Sequence, residues 1–141
     1  MDNIYQIRKR VATLQEYSDL CTQVGWKDYM NLAVAEASLK QSLFGVVIEY
    51  QNETVGMGRI IGDGSIYFYI QDIAVSPNHQ KKGLGDMIMK TLMEYLKSHA
   101  PDKAFVGLFA NQGTQKFYNK YGIQAYQGME GMFTVINKSV K

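Results

Sequence analysis

Residues 80 to 85 read Gln80-Lys81-Lys82-Gly83-Leu84-Gly85, a combination suited to binding a phosphate-bearing anion. Glycines let backbone amides approach an outside ligand with no Cβ in the way. Lys81 and Lys82 add two mobile cations. The flanking residues place this loop between a strand and a helix. Ahead of it Tyr67 to Val75 is aromatic and β-branched, and Ser76-Pro77-Asn78 breaks that strand. Behind it Leu84, Met87, Ile88, Leu92, Tyr95 and Leu96 fall on one helical stripe. A helix start carries unpaired N–H groups and a partial positive charge, so the loop reads as a seat for a pyrophosphate. A tight turn with close helix–sheet packing would use the same glycines. Two other phosphate motifs are excluded by spacing: the third glycine of a dinucleotide fingerprint would fall at Ile88, and no Gly-Lys-Ser/Thr follows.

The segment resembles motif A of the GNAT acetyltransferase superfamily, Gln/Arg-x-x-Gly-x-Gly/Ala. Ile73-Ala74-Val75-Ser76-Pro77 is similar to the strand end that precedes this loop in the family. Downstream, Asn111 followed by Phe117-Tyr118-Asn119-Lys120-Tyr121-Gly122-Ile123 resembles motif B, with Ile123 where the family has Phe. The resemblance implies an N-acetyltransferase that moves an acetyl group from acetyl-CoA to a primary amine by direct attack in a ternary complex. It further implies that Gln80, Lys81, Lys82, Gly83, Leu84, Gly85 and Asp86 hold the pyrophosphate. Ile73, Ala74 and Val75 would pair with the pantetheine, Asn111 would contact its arm, and Tyr118 would sit near the thioester sulfur. The acceptor is then a small-molecule amine or a protein amino group, and family habit suggests a homodimer. The alternative is a non-catalytic module that binds acetyl-CoA as a sensor or interaction domain.

The chemistry states what such residues must do. An aliphatic amine with a pKa near 10.4 is free base only to roughly a few parts in ten thousand at pH 7, so its proton must be removed. Attack on the thioester puts negative charge on the carbonyl oxygen, which backbone N–H groups at the end of a splayed strand can stabilise. A phenol can then protonate the departing thiolate, the role expected of Tyr118; its plain alternative is an ordinary half-buried helix tyrosine. Asp72, just before the strand end, is the candidate base, directly or through water, or else a carboxylate that stabilises the sheet turn or pairs with a lysine. Glu36 on the second helix is a substrate-side candidate. His79 reads as a solvated loop residue or a distant phosphate contact, and His99 as a cation suited to a helix end. Neither histidine has ligand spacing, so no metal site is expected. Cys21 lies on an apolar helical stripe and reads as core, not as a nucleophile.

These residues need a scaffold, and the chain supplies the pattern of one. Ile4 to Lys9 alternates as a first strand. Thr13-Leu14-Gln15-Glu16 is a capping box opening a helix whose apolar face is Leu14, Tyr17, Leu20, Cys21 and Val24. A second helix is expected over Leu32 to Gln41. Strands follow at Phe44 to Tyr50, Val55 to Ile61 and Ser65 to Val75, then the helix after the loop. Next come a strand from Ala104 to Ala110 and a short helix from about Thr114 to Lys120. Last strands are expected over Ile123 to Tyr126 and Met132 to Ile136. This is a mixed α/β chain. The GNAT resemblance implies a central mixed, mostly antiparallel sheet flanked by about four helices.

With 141 residues the chain fits a single domain spanning 1–141, long enough for a real core. Its 46% apolar and 20% charged content is that of a globular protein, and a net charge of +2 is too mild to argue for nucleic acid. No apolar run approaches the roughly 20 residues of a membrane helix, and the N-terminus lacks a signal-peptide pattern. Cys21 is the only cysteine, so no intrachain disulfide forms and a cytoplasmic location is expected. Trp26, Tyr29, Phe44, Tyr67, Tyr69, Met129 and Met132 could line an acceptor pocket or simply fill the core. Glu130, between two glycines, could meet a cationic amine at a mobile rim.

Overall fold

The computed structural model describes residues 4–138. Two compact units, Met1–Leu108 and Phe109–Lys141, are distinguished by their internal packing. In the first, five strands form one sheet in the order β1-β2-β3-β4-β5. They are β1 (Tyr5–Arg8), β2 (Phe44–Tyr50), β3 (Glu53–Gly62), β4 (Tyr67–Val75) and β5 (Phe105–Gly107). Neighbours from β1 to β4 run antiparallel, whereas β5 joins β4 in parallel after a helical crossover. The β2–β3 hairpin turns at Gln51 and Asn52 with φ of 50° and 66°, the left-handed pair that matches strand twist in a two-residue loop.

Helices cover both faces of the sheet. Helix α1 (Leu14–Gln23) starts at the expected capping box, with Glu16 N–H donating to Thr13 Oγ1 at 3.2 Å and Thr13 N–H to Glu16 Oε1 at 2.8 Å. The second helix begins later than its pattern suggests. Asn31 caps a 3-10 turn over Leu32–Val34 first, and α2 runs only Ala35–Lys40. Tyr17, Leu20, Cys21, Ala35 and Leu39 from this face bury against Val47, Met57 and Ala74. Helix α3 (Leu84–His99) covers the other face with Leu84, Ile88, Met89, Leu92 and Leu96 buried. Its close approach depends on Gly58, where a Cβ would lie 2.6 Å from Ile88 Cγ2. Among the described residues no helix is long and apolar enough to cross a membrane.

The second unit holds α4 (Gln115–Asn119), inside the stretch expected to be helical. The two last strands do not form: residues 123–137 contain neither helix nor strand. Alternation alone cannot make a strand, because its N–H and C=O groups need a neighbouring ladder and one face needs cover. Here Met132, Phe133, Val135 and Ile136 are between 74% and 88% exposed. The strand expected over Ala104 to Ala110 is likewise shorter, limited to the three residues that pair with Tyr67, Phe68 and Tyr69.

Candidate active site

The loop after β4 has the backbone of an anion seat. Lys81 and Gly83 both take left-handed φ, +63° and +85°, which turns successive N–H groups to one side as in an anion-binding nest. Gly83 is also the N-cap of α3 and supplies no side chain to bond the first helical amides. A Cβ there would meet nothing within 4 Å, so the space in front of the loop is open. Lys81 and Lys82 are exposed beside it, while Leu84 is buried and can offer only its backbone. Gly85 and Asp86 lie in the first turn of α3. Gln80 ties the loop to the sheet, its Nε2 donating to Val75 O at 2.9 Å. These groups fit a pyrophosphate.

Among the described residues, the strand that leads into this loop is left unpaired along part of one edge. The ladder with β5 ends at Tyr69 and Gly107, yet β4 runs on to Val75. Ser76 N–H donates to Val55 O on the β3 side at 2.8 Å. By the alternation of a strand, the Val75 and Ile73 amides therefore face the edge away from β3. Ala74 packs into the α1-side core.

Asp72 is held where the sequence alone did not place it. Its Oδ2 accepts from Arg59 Nε at 2.8 Å and from Tyr17 OH at 3.2 Å. Arg59, 8% exposed, also donates to Ser38 O and Ser42 Oγ, both at 3.0 Å, and to Ser38 Oγ at 3.1 Å. Burial and then the Asp72 charge push the Tyr17 phenol far above its usual range, and the same two causes raise the Cys21 thiol. Cys21 is fully buried, in keeping with its core reading. Sequence reasoning missed this network. The available signal was a lone arginine in the apolar run Val55 to Ile61, since a buried guanidinium requires partners.

The other candidates lie on separate elements of the chain. His79 is half-buried beside Tyr5 and Tyr50, its Nδ1 2.8 Å from Tyr5 OH, so it anchors the loop to β1 and β2 rather than standing in solvent. His99 stacks on Tyr95 at 4.2 Å. Phe44 stacks on the other side of the sheet from Trp26, against Tyr95 at 4.4 Å, while Trp26 packs on the α1-side core. Glu36 and Glu130 are exposed. An open pocket of about 560 Å³ adjoins Ser76 to His79, but Glu16, Asp19 and Glu53 line it and would repel a phosphate. Among the described residues no group of three or more His, Cys, Asp or Glu side chains is placed to hold a metal ion.

In the second unit Asn111 opens a turn, its carbonyl accepting from Thr114 N–H at 3.1 Å and Oγ1 at 2.7 Å. Tyr118 is half-buried, edge-on to Phe117 with ring centroids 5.0 Å apart. Burial raises its phenol above the ordinary value. Gly122, at φ +82°, ends the helical turn as its place in the motif requires.

Known proteins share this arrangement along most of the chain. The sequence model of the Acetyltransferase (GNAT) family matches residues 11–123. The N-acetyltransferase ycf52 of Porphyra purpurea is 28% identical over 138 residues, covering 94% of this chain and 78% of its own. The crystal structure of a probable acetyltransferase from methicillin-resistant Staphylococcus aureus superposes with a TM-score of 0.85 at 30% identity, covering 94% and 99%. A GNAT-family acetyltransferase from Streptococcus pneumoniae gives 0.78 at 28% identity, covering 95% and 98%. A five-stranded mixed sheet, a phosphate-type loop between its fourth strand and third helix, and a family match across both units lead to one conclusion: the chain belongs to the GNAT family and is an N-acetyltransferase with the GNAT fold.

Proposed function

We propose that the chain transfers the acetyl group of acetyl-CoA to a primary amine by direct attack in a ternary complex. The observation that carries this reading is the loop 80–85, whose left-handed backbone at Lys81 and Gly83 opens amides toward solvent beside the free edge of β4. Gln80 to Asp86 would hold the pyrophosphate through backbone N–H groups and the two lysine charges. The carboxylate of Asp86 makes its own contribution one of backbone alone. Ile73, Ala74 and Val75 would receive the pantetheine along the edge, and Asn111 would contact its arm.

Acetyl-CoA supplies an acyl carbon on a thioester: a C–N bond forms there and the C–S bond breaks. The amine's proton passes to solvent water, and the thiolate takes a proton from a side chain that recovers it from solvent. The chain's own part is positioning and proton transfer. Edge amides at Ile73 and Val75 are preorganised donors for negative charge on the carbonyl oxygen. Tyr118 Oη gives its proton to the sulfur, a role supported by its motif position and by burial that keeps the phenol protonated. Asp72, expected as the base, has its Oδ2 taken up by Arg59 and Tyr17 and is assigned no proton in this scheme.

We further propose that residues 1–141 make one domain, since the family match crosses the boundary at 108/109. A homodimer is proposed through the exposed apolar residues Met129, Met132 and Phe133. Thiol release from acetyl-CoA across a broad amine panel tests the central reading. Turnover with an amine supports it and names the acceptor class. Acetyl-CoA binding without turnover on any amine would replace it with the sensor function.

A further inference from the structure

Asp72 breaks the alternation of β4. Phe44 pairs with Ile60 and Ile60 with Ile70, and cross-strand partners share a face. Phe44 stacks on Tyr95 of α3, so Ile70 faces α3. Two residues on, strict alternation would put the Asp72 carboxylate on that same apolar face. Instead it meets Tyr17 of α1 and Arg59 on the opposite face. The switch is a bulge: Met57 pairs with Ala74 and Arg59 with Gln71, two steps on β3 against three on β4. Asp72 takes the left-handed φ of +60° that the bulge requires, a conformation that few non-glycine residues adopt.

We propose that Arg59, with Tyr17, is a positioning group that locks Asp72 in this conformation and thereby decides which amides of β4 face its open edge. The side-chain period of a strand is two, so an extended backbone at Asp72 would remove the extra step. The N–H groups of Ile73 and Val75 would then turn toward β3 and that of Ala74 toward the open edge. The two donors aligned on the acyl carbonyl would be replaced by one displaced along the strand. The carboxylate acts through the backbone, not as the proton acceptor. This inference rests on the transferase reading above and names the residues that shape its site.

Two double variants test it. Arg59→Met/Asp72→Leu and Arg59→Met/Asp72→Gly both remove the buried pair together, so neither leaves a charge without a partner. Leucine resists the left-handed region, whereas glycine enters it freely. The measurements are kcat with the best amine, KM for acetyl-CoA, the pH profile, and the backbone carbon and nitrogen chemical shifts at the substituted position and its neighbours. The leucine variant should lose roughly 10²-fold in kcat with acetyl-CoA KM moved less than threefold. The glycine variant should recover at least roughly tenfold of that loss with the pH profile in its wild-type position. Equal losses in both variants, together with loss of the acid limb, would make Asp72 the base and overturn the proposal. Both variants within about threefold of wild type would reduce the pair to packing. If wild-type protein turns over no amine, the transferase reading fails by itself. The lock is then judged from the shifts alone. Extended backbone at the substituted position in the leucine variant, with left-handed backbone there in the glycine variant, supports it; left-handed backbone in both refutes it.

Discussion

A phenol that hands over a proton works only while it holds one. Burial raises Tyr118 above its ordinary 10.0, so the acid form is complete at neutral pH and is lost only as pH rises past that value. Tyr118→Phe should lower kcat by roughly 10²- to 10⁴-fold while acetyl-CoA affinity changes little. The alkaline limb of the wild-type profile should lie above pH 10.0 and be absent in the variant. A variant within about threefold of wild type would make Tyr118 a packing residue. Its position was legible because Phe-Tyr-x-Lys-x-Gly is a local pattern. Asp72 was legible only as a carboxylate near a strand end. Its partner, Arg59, lies 13 residues away, and their meeting depends on a bulge that periodicity does not encode. For the same reason the anchoring of His79 is hidden in the sequence, since its Tyr5 partner is 74 residues distant.

Elements whose determinants are local formed as their residues dictate. The capping box of α1 is one, and it carries a pH signature. Glu16, bonded first by Arg10 and also by Thr54 and Thr13, has its pKa lowered from 4.5 to about 2. A carboxyl depressed on folding stabilises the chain above its unfolded value and ceases to do so as pH falls through the folded one. Glu16→Gln keeps an acceptor for Thr13 N–H but loses the charge that Arg10 pairs. Its melting temperature should fall by about 3 °C at pH 7, a loss of about 1 kcal/mol, and the difference should close between pH 4.5 and about 2. An unchanged melting temperature at pH 7 would refute this. The place of the loop 80–85 between β4 and α3 was equally legible, and Gly85→Val tests its proposed use. Valine and glycine are both poor helix formers, so stability should change little while acetyl-CoA binding weakens by roughly tenfold or more. Normal binding would make the loop a packing feature. The strands expected after Gly122 were not legible as absent, because whether Met132 to Ile136 finds a ladder is a tertiary matter.

On the scale of the whole molecule, most of the fold could be read from alternating and helical spacing plus two motifs, and the family match over residues 11–123 agrees with that reading. The parallel placement of β5 and the open edge it leaves on β4 follow from topology, which spacing alone does not fix. Met129, Met132 and Phe133 are 70%, 88% and 78% exposed, and the proposed dimer would cover them. Sedimentation at tens of micromolar should report two chains; a monomer would dispose of that interface. With a net charge of only +2, attraction of a polyanion must come from local groups, Lys81, Lys82 and the loop amides, rather than from the overall field. The most direct test is therefore calorimetric titration of the chain with acetyl-CoA at low and at high salt. Binding should appear in the low micromolar range or weaker and should weaken as salt screens the phosphate contacts. No heat of binding at either salt would contradict the account at its base.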